Sequence, residues 1–363
     1  MSFVLRSYRA PDFARPELSC APDARTLPAP ADGVAPAGYH ATTIYPEYFR
    51  VGGRWLLAAD SRMDCVAVLR GGAVEVVEFR NLRAGDAVFL GRREDGSEGV
   101  YVHADGFASD EDAKELFAFR QGRSRETAFS GDYDALTALL RHERDHGNIL
   151  WVMGPACAFD RGARDAFARL VDAGYCHALL AGNALATHDL EAAWLGTALG
   201  QDVYTHESRP LGHYNHLDTL NRVRACGSIP RFIEEEGIRD GIIHACVKKG
   251  VPFVLAGSIR DDGPMPEIFG DVYRAQDAMR ARARRATTVI AMASALHSIA
   301  VGNMTPSYRV LSDGTVREVY FYVVDVSEFA VNKLADRGSL AARGIVTNAQ
   351  DFVVKLAGAL CVP

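Results

Sequence analysis

Residues 179–200 read LLAGNALATHDLEAAWLGTALG, and the run breaks its own pattern. A strand-like apolar stretch stops at Gly182 and gives way to Asn183, then to His188 and Asp189, before a helical pattern of Leu190, Ala193, Trp194 and Leu195 resumes. An amide, an imidazole and a carboxylate in the turn between strand and helix are the groups needed to orient a polar ligand and move protons. The alternative for Asp189 is a helix cap, with His188 merely paired to it. Similar groups recur downstream. Arg260, Asp261 and Asp262 follow VPFVLAGS, a costly place for three charges unless they face a ligand, one another or an open turn at Asp262-Gly263-Pro264. Ser294 and His297 follow TTVIAMA, where a satisfied core histidine is the alternative. His213 and His216 stand before a helix in GHYNHL; without the glutamate of an HExxH pattern they suggest structural or substrate contacts rather than a metal site.

The elements that must position these groups follow from hydrophobic periodicity. From residue 148, NILWVMG, CHALLAGN, VPFVLAGS, TTVIAMAS, VYFYVVDV and RGIVTN are near-continuous apolar runs separated by helical patterns, which predicts an α/β, doubly wound, mostly parallel sheet covered on both faces. Upstream, FRVGGRWLLAA, CVAVLRGGAVEVVEF, DAVFL and GVYVHA predict a small β-rich domain with hairpins at the Gly-Gly pairs. A bridging strand and the helix DYDALTALLRHERDHG, ending at Gly147, complete it. The domains expected are a Pro/Ala-rich arm over 1–36, extended or poorly ordered, a β-rich substrate domain with its bridging helix over 37–145, and a nucleotide domain over 146–363.

Open parallel sheets bind ligands at the carboxyl ends of their strands. Here those ends carry Gly154-Pro155, Gly182-Asn183, Gly257-Ser258, Ser294, Asp325 and Thr347-Asn348. Asp325 has the character of an acid that accepts from ribose hydroxyls, which favours NAD over NADP; a helix N-cap is the equal alternative. No GxGxxG occurs, so phosphate contacts must be made differently.

Composition narrows the classes. The chain has 363 residues, a net charge of −6 and no long basic run, which argues against a nucleic-acid surface. RARARR at 280–285 is the local exception and reads as a solvated helix face. The seven cysteines show no CxxC pairing, so neither a zinc knuckle nor a disulfide framework is expected, and no metal is assigned. With no span of about 20 apolar residues and no signal layout, a cytoplasmic protein without membrane contact is expected.

Taken together, ILWVMGPA, LLAGNALATHDLEAAWLGTALG, GHYNHL, VPFVLAGSIRDDGP, AQDAMR, LHSIAVGNMTPS, KLADRGS and GIVTN resemble the archaeal-type ornithine cyclodeaminases, a LOR/SDH-type domain that also forms the C-terminal part of cyanobacterial arginine dihydrolase fusions. The likeness extends upstream through YHATTIYPEYFRVGGRWLLAADSRMDCVAV. It implies an NAD-dependent enzyme that turns L-ornithine into L-proline and ammonia, with a Rossmann-like, deoxyhypusine synthase-like nucleotide domain beside the β-rich one. It also implies a small-molecule amino-acid substrate and a homo-oligomer. Two departures from the pattern, Tyr214 where a basic residue is usual and an extra Asp313-Gly314 hairpin, keep lysine, diaminobutyrate or another amino acid open as substrate, and a non-catalytic NAD sensor as a further reading.

Such chemistry needs a cation for the α-carboxylate, a carboxylate for the distal ammonium and a base for the amine protons. By residue type, Arg62 or Arg260 supplies the first, Asp64 or Asp261 the second, and His188, Asp189 or His297 the third, with His213 a further substrate contact. The cofactor would lie against Asn183, Ala184, Gly257, Ser258, Ala293, Ser294, His297, Asp325, Thr347 and Asn348.

Overall fold

The computed structural model describes residues 3–107, 130–259, 264–328, 331 and 340–361. The first part is β-rich. After a short helix α1 (Pro16–Ser19) come β1 (Thr26–Pro28), β2 (Glu47–Val51), β3 (Arg54–Leu57), β4 (Val66–Arg70), β5 (Ala73–Val77), β6 (Ala87–Phe89) and β7 (Val100–Val102). They form two antiparallel sheets, ordered β1-β6-β4-β5 and β3-β2-β7. Phe49 and Phe89, with ring centroids 4.5 Å apart, anchor the apolar layer between them. Composition leaves the Pro/Ala-rich arm extended or poorly ordered; over its described residues it is mostly extended and packed against the sheets. β1 pairs with β6, Leu18 is buried, and Phe13 stacks on Trp55 at 5.6 Å. Three strand residues and scattered aromatics are too sparse for a periodic signal, so tertiary packing decides the order.

The second part alternates strands and helices. In chain order it runs α2 (Ser130–His146), β8 (Ile149–Met153), α3 (Arg161–Asp172), β9 (Ala178–Gly182), α4 (Asn183–Leu195), the small hairpin β10 (Thr197–Ala198) and β11 (Gln201–Asp202), then α5 (His213–Cys226), α6 (Ile229–Glu235) and α7 (Ile242–Lys249). It continues with β12 (Phe253–Ala256), β13 (Ile268–Phe269), α8 (Val272–Ala283), β14 (Thr288–Met292), α9 (Ala295–Met304), a hairpin of β15 (Tyr308–Val310) and β16 (Val316–Glu318), β17 (Tyr320–Asp325), β18 (Ala341–Val346) and α10 (Ala349–Leu360).

Seven strands form one parallel sheet in the order β13-β12-β9-β8-β14-β17-β18, the doubly wound architecture. All six apolar runs read from the sequence are strands of this sheet; the two-residue edge strand β13 is the addition. Alternate residues serve opposite faces: Trp151, Met153 and Leu179 point to the layer of α3, α7 and α10, while Leu150, Val152 and Leu180 meet α8 and α9. Trp151 is fully buried, donates to the Tyr175 carbonyl at 2.8 Å and lies edge-on to Phe167. Its truncation to Ala should cost about 3–5 kcal/mol. Helix α2 sends Leu136, Leu139 and Leu140 into this same core, so its packing joins it to the parallel sheet rather than to the β-rich region.

The two regions meet along α8 and the β15–β16 hairpin. Asp313-Gly314 forms the hairpin turn, as the sequence predicts. At its base Tyr308 donates to the Ala58 carbonyl at 2.8 Å, and Ser61 and Ser307 share a hydrogen bond of 2.7 Å. Along α8, Arg80 pairs with Asp277 at 2.6 Å, Arg284 with Asp60 at 2.9 Å and Arg280 with Glu78 at 2.5 Å. Arg280 is buried in this seam, which corrects the reading of 280–285 as a wholly solvated face. The helix phase alone does not reveal that another sheet covers it.

Candidate active site at the sheet's carboxyl edge

The chain leaves β8 for β9, β12 and β13 on one side and returns to β14 on the other, so the switch point lies between β8 and β14. Backbones crowd there. Gly154 follows β8, and its amide donates to the Met292 carbonyl at 2.9 Å; a Cβ at Gly154 would run into the carbonyl oxygen of Ala293. Ala293 itself takes φ +54°, a left-handed conformation that turns the chain sharply into Ser294.

His297 sits on the first turn of α9 and reaches back across this point. Its Nδ1 lies 3.0 Å from Ser294 Oγ, and a Cβ on Gly182 would stand 3.0 Å from its Cε1. Glycine at the end of β9 therefore makes room for the imidazole. Burial pushes the His297 pKa below the ordinary value, so the ring is neutral at pH 7. Beside it Asn183 opens α4, buried, with its Oδ1 lacking a partner among the described residues. Neither α4 nor α9 has a side-chain N-cap: Gly182 has none to offer, and Ser294 makes no cap bond. By contrast α3, α6, α8 and α10 are capped by Asp160, Ser228, Asp271 and Asn348. These two helix ends follow β9 and β14, the strands that flank β8, and present amides suited to anionic oxygens.

The other candidates for cofactor contact line the same edge. Ala184 is the second residue of α4, and Gly257 follows β12, its amide bonded to the Phe269 carbonyl at 3.0 Å, with Ser258 next and exposed. Asp325 ends β17 and accepts from the Ser327 amide at 2.9 Å. The Thr347 amide donates to the Asp325 carbonyl, and Asn348 Oδ1 caps α10 through the Gln350 and Asp351 amides, which leaves its amide group to donate.

Asp189 must be corrected. It does not stand in a turn: α4 begins at Asn183 and carries both His188 and Asp189 on its second turn. The Asp189 carboxylate is fully buried, receives Arg164 Nε at 2.9 Å, and takes the Ile242 and Ile243 amides at 3.0 and 2.8 Å. It caps α7 rather than its own helix, with both oxygens engaged by partners within the chain. His188 faces another way. Its Nδ1 lies 3.2 Å from Glu191 Oε2, and its ring packs 5.2 Å from Phe159 and 6.2 Å from His216.

Glu191, which the sequence reading passed over, is fully buried and accepts from Thr197 Oγ1 at 2.8 Å, the Leu199 amide at 2.9 Å and the Gly200 amide at 3.0 Å. Burial opposes its charge, but hydrogen bonds from His188, Gly200, Thr197 and Leu199 outweigh it and hold the carboxyl below the usual range. A signal was available: a glutamate in an Ala/Leu-rich helix just before a tight Gly196 to Gly200 hairpin whose amides need an acceptor.

The substrate candidates divide. Arg62 pairs with Glu78, which Arg80 and Arg280 also hold at 3.0 and 2.5 Å. Burial, and the like charges of Arg280 and Arg80, bring its guanidinium down to about 10. It belongs to the seam with α8, and the structure does not bring it to His297. Asp64 is exposed, at φ +60°, on the loop that docks this seam. His213 is exposed at the start of α5 against Tyr214, while His216 is half-buried, its shielded Nδ1 without a hydrogen-bond partner among the described residues. Arg260, Asp261 and Asp262 lie outside the described residues. Among the described residues no group of three His, Cys, Asp or Glu side chains could hold a metal ion, and no helix is long and apolar enough to cross a membrane.

Comparison with known proteins gives this edge its context. Residues 135–356 match the family model described as "Arginine dihydrolase ArgZ-like, C-terminal, Rossmann fold". An ornithine cyclodeaminase from Archaeoglobus fulgidus is 39% identical over 348 residues, covering 95% of this chain and 79% of that one. The crystal structure of a LOR/SDH protein from Methanococcus maripaludis S2 superimposes with a TM-score of 0.84 at 34% identity, over 93% of this chain and 98% of that one. AgrE, solved as a ternary complex with ornithine and NAD+, is 34% identical with a TM-score of 0.58, over 94% of this chain and 46% of its own. The chain therefore belongs to the family of ArgZ-like C-terminal Rossmann-fold domains, alongside the archaeal ornithine cyclodeaminases.

Proposed function

We propose that this chain is an NAD-dependent ornithine cyclodeaminase, an ammonia-lyase that converts L-ornithine to L-proline and ammonia at the crevice between β8 and β14. The observation that carries the reading is the neutral imidazole of His297 held over Gly182 at the switch point, in a chain related over nearly its whole length to ornithine cyclodeaminases and to AgrE, which binds ornithine and NAD+. The edge fits a dinucleotide. Asn183 Oδ1 is buried and lacks a partner among the described residues, α4 and α9 open with amides that no side chain caps, and Gly154 and Gly182 keep Cβ atoms out of the crevice floor. Asn183, Ala184, Gly257, Ser258, Ala293, Ser294, Asp325, Thr347 and Asn348 would hold it. The chemistry that NAD supplies when bound is hydride acceptance and return, with no net redox change.

The protein's own share is positioning and proton transfer. Neutral His297, steadied through Nδ1 by Ser294, takes a proton from a substrate amine, and its lowered pKa keeps the ring unprotonated into mildly acidic solution. His188 serves the second amine. With Arg62 committed to Glu78, Arg260 is the cation for the α-carboxylate, and Asp261 receives the distal ammonium. The β-rich region is the substrate domain. The enzyme works in proline biosynthesis in the cytoplasm, where its seven free cysteines suit a reducing compartment, and it is a homo-oligomer, to which the exposed Leu199, Tyr204, Leu211, Tyr214 and Leu217 lend support.

Purified protein given NAD+ and L-ornithine should release proline and ammonia in equal amounts without accumulating NADH. Lysine and 2,4-diaminobutyrate run in parallel test the substrate. Turnover of either in place of ornithine would move the assignment, and turnover of none would leave an NAD-binding protein.

A further inference from the structure

We propose that Glu191 is a positioning residue that fixes the tautomer of His188, keeping the proton on Nδ1 and leaving Nε2 as the atom that accepts a substrate proton. The inference deepens the reading above and rests on it for the role of His188. Glu191 is buried, anionic and acceptor-only, so every group that meets it must donate. Thr197 Oγ1 and the Leu199 and Gly200 amides do so from the hairpin. The fourth group is His188 Nδ1 at 3.2 Å, and a donor at that atom in a neutral ring leaves Nε2 with its lone pair.

The ring is held in place as well as in tautomer. His188 has 11% of its side chain exposed, with Phe159 of the turn after β8 on one side and His216 of α5 on another. Asn215 on α5 donates to Thr197 Oγ1 at 2.7 Å, which ties α5 to the same hairpin. When Nε2 takes a proton from a substrate ammonium, that N–H bond breaks and the ring becomes imidazolium. Glu191 remains a carboxylate and balances the new charge, with no proton passed to it. The carboxylate that anchors the β10–β11 hairpin thus also sets the direction of a base.

Histidine-labelled protein examined by long-range 1H–15N correlation reads the tautomer directly, with the His188 signals assigned by their loss in His188→Gln. Wild-type protein should show His188 protonated at Nδ1. Glu191→Met, which removes the acceptor, should shift it toward the Nε2-protonated form and lower kcat roughly 10–100-fold, the range for loss of a histidine's outer partner, with little change in KM. Thr197→Val is the control: it weakens the hairpin anchor and lowers the melting temperature but should keep the wild-type tautomer and kcat. If Glu191→Met does not fold, Glu191→Gln and the wild-type spectrum still decide. An Nε2-protonated His188 in wild-type protein, or a Glu191→Met protein whose losses only match those of Thr197→Val, overturns the proposal. The spectrum needs no turnover, so a protein inactive on ornithine would sink the cyclodeaminase reading and the proton-accepting role with it, while the tautomer set by Glu191 would still be decided.

Discussion

Helix α4 touches two buried polar regions that differ in one respect. On one side, Asp189 meets Arg164 and the amides of Ile242 and Ile243, and each oxygen has partners from within the chain. At its N-terminus, Asn183 Oδ1 has no partner among the described residues, the first amides have no side-chain cap, and the neighbouring His297 is neutral and hydrogen-bonded to Ser294. A buried polar group without a partner costs about 1–3 kcal/mol, so a fold keeps such groups where a ligand will satisfy them. Satisfied carboxylates, including Glu143 with Arg317, Thr287 and Thr288, belong to architecture. The incomplete edge belongs to chemistry.

The contrast breaks first at the two side chains that represent it. His297→Gln should lower turnover by about 10²–10⁴-fold, as for loss of a general base, with the melting temperature nearly unchanged. Asp189→Asn should do the reverse: it removes the buried one of the two carboxylates that hold Arg164, leaving Asp240, and weakens the α7 cap, costing about 3 kcal/mol in chemical denaturation with NAD affinity retained. A stable Asp189→Asn protein without turnover would reverse the two assignments.

Two smaller effects sharpen the edge itself. In Asp325→Ala, loss of a charge-assisted ribose contact should cost about 1.5–3 kcal/mol of NAD binding by calorimetry. Loss of the Ser327 amide contact alone would cost about 1 kcal/mol of stability instead. Gly182→Ala places a methyl 3.0 Å from His297 Cε1, so the ring must yield by a few tenths of an ångström, and kcat should fall about tenfold while the fold persists.

The smallest effect is on pH. The folded pKa of His297 lies below its ordinary 6.5 because of burial, so the unfolded chain takes up the proton first as pH drops. That part of the stability is complete above about pH 6.5 and is lost as pH falls through the folded value. His177, also lowered by burial while it accepts from the Ile149 amide, adds to the same slope. Denaturation midpoints between pH 7 and 5 should fall less steeply in His297→Gln than in wild type.

The strands were legible because buried parallel strands read as unbroken apolar runs, and the edge was legible because their ends carry Gly, Ser, Asn and Asp. Asp189 was misread for a physical reason. Its partners, Arg164 and the α7 amides, stand 25 and more residues away, and helix phase shows a face without showing what covers it. Glu191 was missed because a glutamate in a helix ordinarily faces water, and Arg280 because the sheet that buries it comes from the other half of the chain. The β1 strand escaped because Pro and Ala mask a short edge.

The most direct test of the account is a crystal structure of the protein with NAD+ and ornithine. The cofactor should lie across the carboxyl ends of β8 and β14, with Asn183 Oδ1 gaining a hydrogen-bond partner, the α4 and α9 amides facing its oxygens, and a substrate amine within reach of His297. NAD bound away from this edge, with Asn183 Oδ1 still lacking a partner, would contradict it.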